Sequence, residues 1–144
     1  MISLNKVYSF LCVSNIIKLN LRETSISNIL TVTATKGVRS GSEAPVDLIL
    51  IPAAFTETTG KAHWESLIRA RAIENLCYVL APAQGGYHTS GRETHGNSMI
   101  VDPWGVVLDR LPRGSGVVIS SINRDYQNSL RKSLPALQHR TIFE

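Results

Sequence analysis

The chain has 144 residues, 43% of them hydrophobic and 18% charged, with a net charge of +4. That is enough chain for one domain with its own core; the balance is too apolar for a disordered protein and too polar for a membrane protein. The basic residues, among them Arg69, Arg92, Arg110, Arg113, Arg131 and Lys132, are scattered rather than gathered into a patch, so the charge reads as a solvated surface and argues against nucleic-acid binding.

The first stretch, MISLNKVYSFLCVSNIIKLN, has a short apolar run interrupted by Ser9, Ser14 and Asn15. No small-residue cleavage site follows it, so it does not read as a secretion signal. No apolar run in the chain approaches the ~20 residues of a membrane span. The two cysteines, Cys12 and Cys77, have neither metal-type spacing nor the look of a disulfide framework. A cytoplasmic protein without a membrane partner is the expectation.

Character changes near residue 44. Residues 1–43 are rich in Ser, Thr, Asn and Ile without a clean period; within them, 26–32 reads as a strand or 19–29 as a weak helix. The expected organisation is a divergent N-terminal segment over 1–43 and a partial domain over 44–144. Residues 46–51, VDLILI, form a nearly continuous apolar run that ends at Pro52, as a strand buried on both faces does. Ala53, Ala54, Phe55 and Thr56 then leave it as a loop, and Thr58, Thr59 and Gly60 read as turn and helix-entry residues.

A helix is expected over 63–76, with Trp64, Leu67, Ile68 and Ala72 at helical spacing and Glu65 four residues before Arg69. Ala70 and Ile73 widen its apolar surface, so it should pack on two sides. Residues 77–83 read as a second buried strand, which makes strand, helix and strand a parallel βαβ unit. Gly85 and Gly86 read as a break and 87–96 as a polar loop. Residues 98–101 should be a strand, Asp102, Pro103, Trp104 and Gly105 a type I turn, and 106–108 its hairpin partner. Gly114 and Gly116 precede a last strand over 117–119, and 124–134 reads as a polar helix stopped by Pro135.

The strings DLILIPAAF, HWESLIRARAIENLCYVLAPAQGG, GRETHGNSMIVDPWG and SLPALQHR occur in this order. Together they resemble the C-terminal half of the nitrilase superfamily, the carbon–nitrogen hydrolases, and within it the branch of deaminated glutathione amidase and ω-amidase. The resemblance implies an α/β fold, the C-terminal part of a four-layer αββα sandwich, whose members pair into dimers. It implies hydrolysis of small linear amides by a cysteine nucleophile, a glutamate base and an oxyanion-stabilising lysine, with no cofactor and no metal. A homodimer, or association with a related subunit, follows, with Trp64, Arg69, Ile73 and Glu74 as interface candidates. Glu74 otherwise pairs with Arg71.

In that family the nucleophile ends the strand before the helix that leads into DLILIPAAF. A helical crossover takes at least ~10–12 residues, which places the nucleophile in 19–34, and that window contains no cysteine. None of the three catalytic positions can therefore be assigned, and the chain is expected to be a truncated form without the triad. A catalytically inactive fragment acting as a dimerising or regulatory partner is the alternative.

Cys77 lies in an apolar strand with no acid or histidine beside it in strand alternation, so it is expected to pack rather than react. Ala53, Ala54, Phe55, Thr56, His63 and Trp64 are the substrate-pocket candidates, because α/β folds bind ligands at strand carboxyl ends and the loops after them. For His63 and Trp64 a helix-start histidine and a core tryptophan is the structural alternative. His88, His95 and His139 show no metal spacing.

Overall fold

The computed structural model describes the backbone of residues 6–12, 15–21 and 29–31 and, with side chains, residues 45–138. Three strands precede the motif-bearing region: β1 (Lys6–Cys12), β2 (Asn15–Leu21) and β3 (Ile29–Thr31). The strand reading of 26–32 therefore holds for Ile29–Thr31, while the rest of that span lies outside the described residues. The helix reading of 19–29 does not hold at Leu19, Asn20 and Leu21, which belong to β2 and pair with β1, Leu19 and Asn20 pairing with a later strand as well. Tertiary pairing decides what local propensity leaves balanced.

β4 (Leu48–Leu50) and β5 (Tyr78–Ala81) are parallel neighbours, in register at Leu48 with Tyr78, as the two apolar runs predict. Between them the helical segment is longer than expected. It comprises α1 (Glu57–Thr59), a π-helical turn over Gly60–Trp64 and α2 (Glu65–Asn75). Thr56 caps the start, its side chain accepting from Thr59 N. Thr58 and Thr59 thus lie in the first turn of the helix, as helix-entry residues, and Gly60 continues it where a turn was also expected. Gly60 is buried, and a Cβ placed on it would lie 2.2 Å from the Cβ of His95. Glycine stands there for a close approach, a tertiary reason invisible in the local pattern. Leu76 ends the helix in the left-handed conformation, φ 44°.

The expected break and polar loop over 85–96 is instead an antiparallel hairpin, β6 (Gly85–Tyr87) with β7 (Glu93–His95). β8 (Ser98–Val101) and β9 (Val107–Leu111) form the next hairpin. Its turn closes through Gly105 N donating to Asp102 O at 3.0 Å, and the Asp102 side chain accepts from Trp104 N and Val106 N. β10 (Gly116–Ser121) and α3 (Arg124–Ser133) complete the fold, α3 capped by Asn123.

The main sheet runs β3-β4-β5-β8-β9; β10 instead joins a second sheet, β1-β2-β10, lying parallel to β2. Alternation along β4 and β5 feeds two cores. Ile49, Val79 and Ala81 pack with Met99, Val101, Trp64, Ile68 and Ala72 of the helix. Leu48, Tyr78, Leu80 and Ile100 pack on the other face with Val118 of β10. The layers are helix, sheet and second sheet, an α/β arrangement. Full burial of each large side chain contributes about 1.5–3 kcal/mol.

α3 is tied across one end of these layers. Asp47, 4% exposed, pairs with Arg124 and with Arg131, the latter at 3.1 Å. Gln127, fully buried, donates to Asp47 O and Leu76 O. Burial pushes the Asp47 carboxyl up, but hydrogen bonds and attraction from Arg124 and Arg131 outweigh it and hold it below its ordinary value.

Candidate functional site

The loop that leaves β4 is held by backbone bonds on both sides. Pro52 has no N–H, yet pairing with the β5 strand resumes after it, with Ala53 N donating to Pro82 O and Gln84 N to Ala53 O, both at 3.0 Å. Phe55 O accepts from His95 N, so β7 continues the same wall. Arg92, in the hairpin loop, donates through its guanidinium to Ala54 O at 2.9 Å. Ala53, Ala54, Phe55 and Thr56 are all half-buried, neither core nor free surface.

Phe55 meets Trp64 with ring centroids 5.2 Å apart and a tilt of 51°. The Trp64 indole N–H donates to Asn97 O at 2.8 Å, which satisfies its one polar atom in the core. Trp64 is 1% exposed. It therefore packs in the core behind the wall, in line with the core-tryptophan alternative. His63 is exposed and faces away from the core side on which Trp64 lies.

Behind the loop sits a cluster of charge. Glu57 meets Lys61 at 3.0 Å, Arg113 at 2.7 Å and His95 Nδ1 at 3.2 Å, and Arg113 also meets Glu93 at 2.8 Å. Hydrogen bonds from Lys61, then from Arg113 and His95, hold the Glu57 carboxyl down at about 2 against a smaller opposing effect of burial. The Asn97 amide nitrogen lies 3.0 Å from His95 Nε2 and can only donate. Neutral His95 therefore carries its proton on Nδ1, aimed at Glu57. Among the described residues no group of three His, Cys, Asp or Glu side chains could hold a metal.

Cys77 is fully buried behind the left-handed Leu76, and burial pushes its thiol up to about 12, the opposite of activation. Cys12 ends β1 opposite Asn15, in the sheet that does not contain β4. The strand beside β4 is β3, parallel to it, with Thr31 opposite Leu50 at the carboxyl end. In sequence Thr31 is followed by Val32 and Thr33, which brings a second hydroxyl but no thiol.

Of the other interface candidates, Ile73 is 45% exposed and lies against Gly105 of the turn after β8. Arg69 Nε donates to Gly105 O at 2.8 Å, and Glu74 pairs with Arg71 at 2.5 Å. Trp104 and Val106 flank Gly105 and are about half exposed, at 54% and 49%.

The carbon–nitrogen hydrolase profile matches residues 29–132, opening at the first residue of β3. The chain belongs to the carbon–nitrogen hydrolase family. Deaminated glutathione amidase of Synechocystis is 52% identical to it over 99 residues, which are 69% of this chain and 36% of that protein. The chain thus spans about a third of the length of the curated relative it matches. The crystal structure of the Caenorhabditis elegans NitFhit protein matches at 45% identity with a TM-score of 0.59, over 66% of this chain and 23% of that one. A carbon–nitrogen hydrolase superfamily protein from Xanthomonas campestris shares the fold at 23% identity and a TM-score of 0.64, over 96% of this chain and 52% of that one.

The site is partly legible in the sequence. The wall residues Ala53, Ala54, Phe55 and Thr56 follow β4 as expected, and the structure brings them beside β7. Nothing in the sequence marks out Arg92, His95 and Asn97 as neighbours of that wall, because the hairpin that delivers them carries no alternating pattern.

Proposed function

We propose that this chain supplies the substrate-binding wall of an amidase of the deaminated glutathione amidase type, and that it is catalytically silent by itself. A small linear amide lies against Ala53, Ala54, Phe55 and Thr56. The observation that carries the silent half of this reading is the carboxyl end of β3, where the sequence continues from Thr31 through Val32 to Thr33 and offers no cysteine. A threonine hydroxyl is a far weaker nucleophile than a thiolate unless a base activates it.

The surface of α2 with Ile73, Arg69 and the Trp104 turn is proposed as the contact with a second copy or a related subunit. Its half-exposed apolar side chains on one helix and one turn support that reading. The cytoplasm is the proposed location.

Ammonia release from deaminated glutathione, measured on the purified chain, tests the reading. No turnover above buffer is expected, together with weak saturable binding of the amide. Turnover that a thiol alkylator abolishes would overturn the silent assignment; absence of any amide binding would overturn the substrate wall.

A further inference from the structure

His95 stands where β7 meets the helix, and both of its ring nitrogens are engaged. Nδ1 lies 3.2 Å from Glu57 Oε2, and Nε2 lies 3.0 Å from the amide nitrogen of Asn97. The same amide nitrogen also donates to His95 O at 3.2 Å. A neutral ring fits this setting on both sides, with Nδ1–H donating to the carboxylate and Nε2 accepting from the amide. A protonated ring donates from both nitrogens and fits on one side only. Left in place, the Asn97 amide nitrogen faces the new Nε2–H, donor against donor. Turned over, the amide oxygen accepts from Nε2–H but meets His95 O, acceptor against acceptor. Neither arrangement serves both partners, so Asn97 must draw away from one of them.

Asn97 cannot do so without disturbing its neighbours. Its backbone is left-handed, with φ 58°, and its N–H donates to Pro112 O at 2.7 Å. Its carbonyl holds the Trp64 indole N–H at 2.8 Å, and Trp64 packs against Phe55 of the loop wall. The ring cannot retreat instead, because Gly60 lies close against its Cβ and Cγ.

The charges that face the ring come from three further elements. Glu57 of α1 attracts a charged ring, while Lys61 of the π-turn and Arg113 of the loop after β9, both paired with Glu57, repel it. Glu93 of β7 is engaged by Arg113. Two cations and two carboxylates balance, so a proton on His95 is the uncompensated charge of the cluster. His88, the other histidine of the hairpin, is bound to Thr94 at 2.8 Å and not to this cluster.

We propose that His95 is a proton-operated latch on the loop wall: protonation of its ring displaces Asn97, and with it the carbonyl that holds Trp64 behind Phe55. Histidine is the side chain whose charge ordinarily changes between about pH 5 and pH 8, so the wall is set when the ring is neutral and loosened in mild acid. The inference concerns the protein without a ligand and stands or falls apart from the amide reading.

The test is an NMR titration of the isotope-labelled full chain between about pH 8 and pH 5. It follows the His95 ring nitrogens and the indole N–H groups of Trp64 and Trp104. At the alkaline end the ring should be the Nδ1–H tautomer. On acidification the Trp64 indole proton should move upfield with the midpoint of the His95 ring, as a hydrogen-bonded N–H does when its acceptor withdraws, and half-exposed Trp104 should not follow. His95→Gln should abolish the movement and His88→Gln should leave it intact. Asn97→Asp, which sets an acceptor against His95 O at every pH, should hold the Trp64 resonance near its acid position throughout. A Trp64 resonance that stays fixed while the ring titrates, a ring that stays neutral across the range, or a movement that survives His95→Gln would overturn the proposal. So would an Asn97→Asp chain that responds as the unmodified one does. The comparison of midpoints in the unmodified chain needs no variant to fold.

Discussion

Gly60 and His95 are packed so closely that a methyl group on the glycine would lie 2.2 Å from the histidine Cβ. The contact joins the π-turn of the helix to β7, and so to the wall at Phe55. Gly60 to alanine gains about 1 kcal/mol of helix propensity. Overpacking against a side chain fixed at both ring nitrogens costs about 1–3 kcal/mol. The loss should win, and urea denaturation of Gly60→Ala should show a lower midpoint. A raised midpoint would mean that the hairpin yields.

Glu57 sets an acid limb. Its carboxyl is held at about 2, below the ordinary value of 4.5, so the ionised form favours the folded state. That stabilisation is complete above pH 4.5 and is lost as the pH falls towards 2. In Glu57→Gln the fall in melting temperature between pH 5 and pH 2 should be shallower than in the unmodified chain, and stability at neutral pH should be lower. Parallel pH profiles would show that Lys61, Arg113 and His95 do not distinguish the two.

Asp47 is the single carboxylate under Arg124 and Arg131. Replacing it by alanine leaves two half-buried arginines facing each other over the buried site of the lost carboxylate, and breaking a buried pair costs about 3–5 kcal/mol. Asp47→Ala should therefore lower stability by about 3 kcal/mol, read by chemical denaturation. Release of α3 should accompany it as faster proteolysis after residue 124. A loss below about 1 kcal/mol would place the pair among weak surface bridges.

Cys77 should behave as packing. In a Cys12→Ser background, iodoacetamide should label Cys77 slowly until denaturant unfolds the chain, because the thiol is buried and its pKa is pushed up to about 12. Rapid labelling of the native protein, followed by peptide mass spectrometry, would contradict that placement.

What the sequence discloses follows from the range of the interactions involved. β4, β5 and the turn from Asp102 to Gly105 are specified locally, by apolar runs and by proline and glycine at fixed turn positions, and they are legible. The helix start is not, because Gly60 looks like a local breaker, whereas its role is to admit His95 from thirty-five residues further on. The hairpin of β6 and β7 is hidden because its strands are three residues each and Gly85 and Gly86 occupy one of them. It is tied to the rest of the fold by the Phe55 carbonyl and the Glu57–Arg113–Glu93 pairs, none of which has a short-range signature. Arg92 is visible in the sequence only as one of many basic residues; its bond to the Ala54 carbonyl spans thirty-eight residues and leaves no local mark.

The ladder between β2 and β10 joins Asn15 to Gly116 and Asn20 to Ser121. Its two halves are made about a hundred residues apart, and loop closure over such a span must precede any gain from the pairing. During synthesis the β1–β2 hairpin therefore precedes β10 by about a hundred residues, and that edge of β2 cannot take its native partner until β10 has been made. An unpaired edge is a template for other strands. In the folded chain that template is covered by a strand from the far side of the whole motif-bearing region.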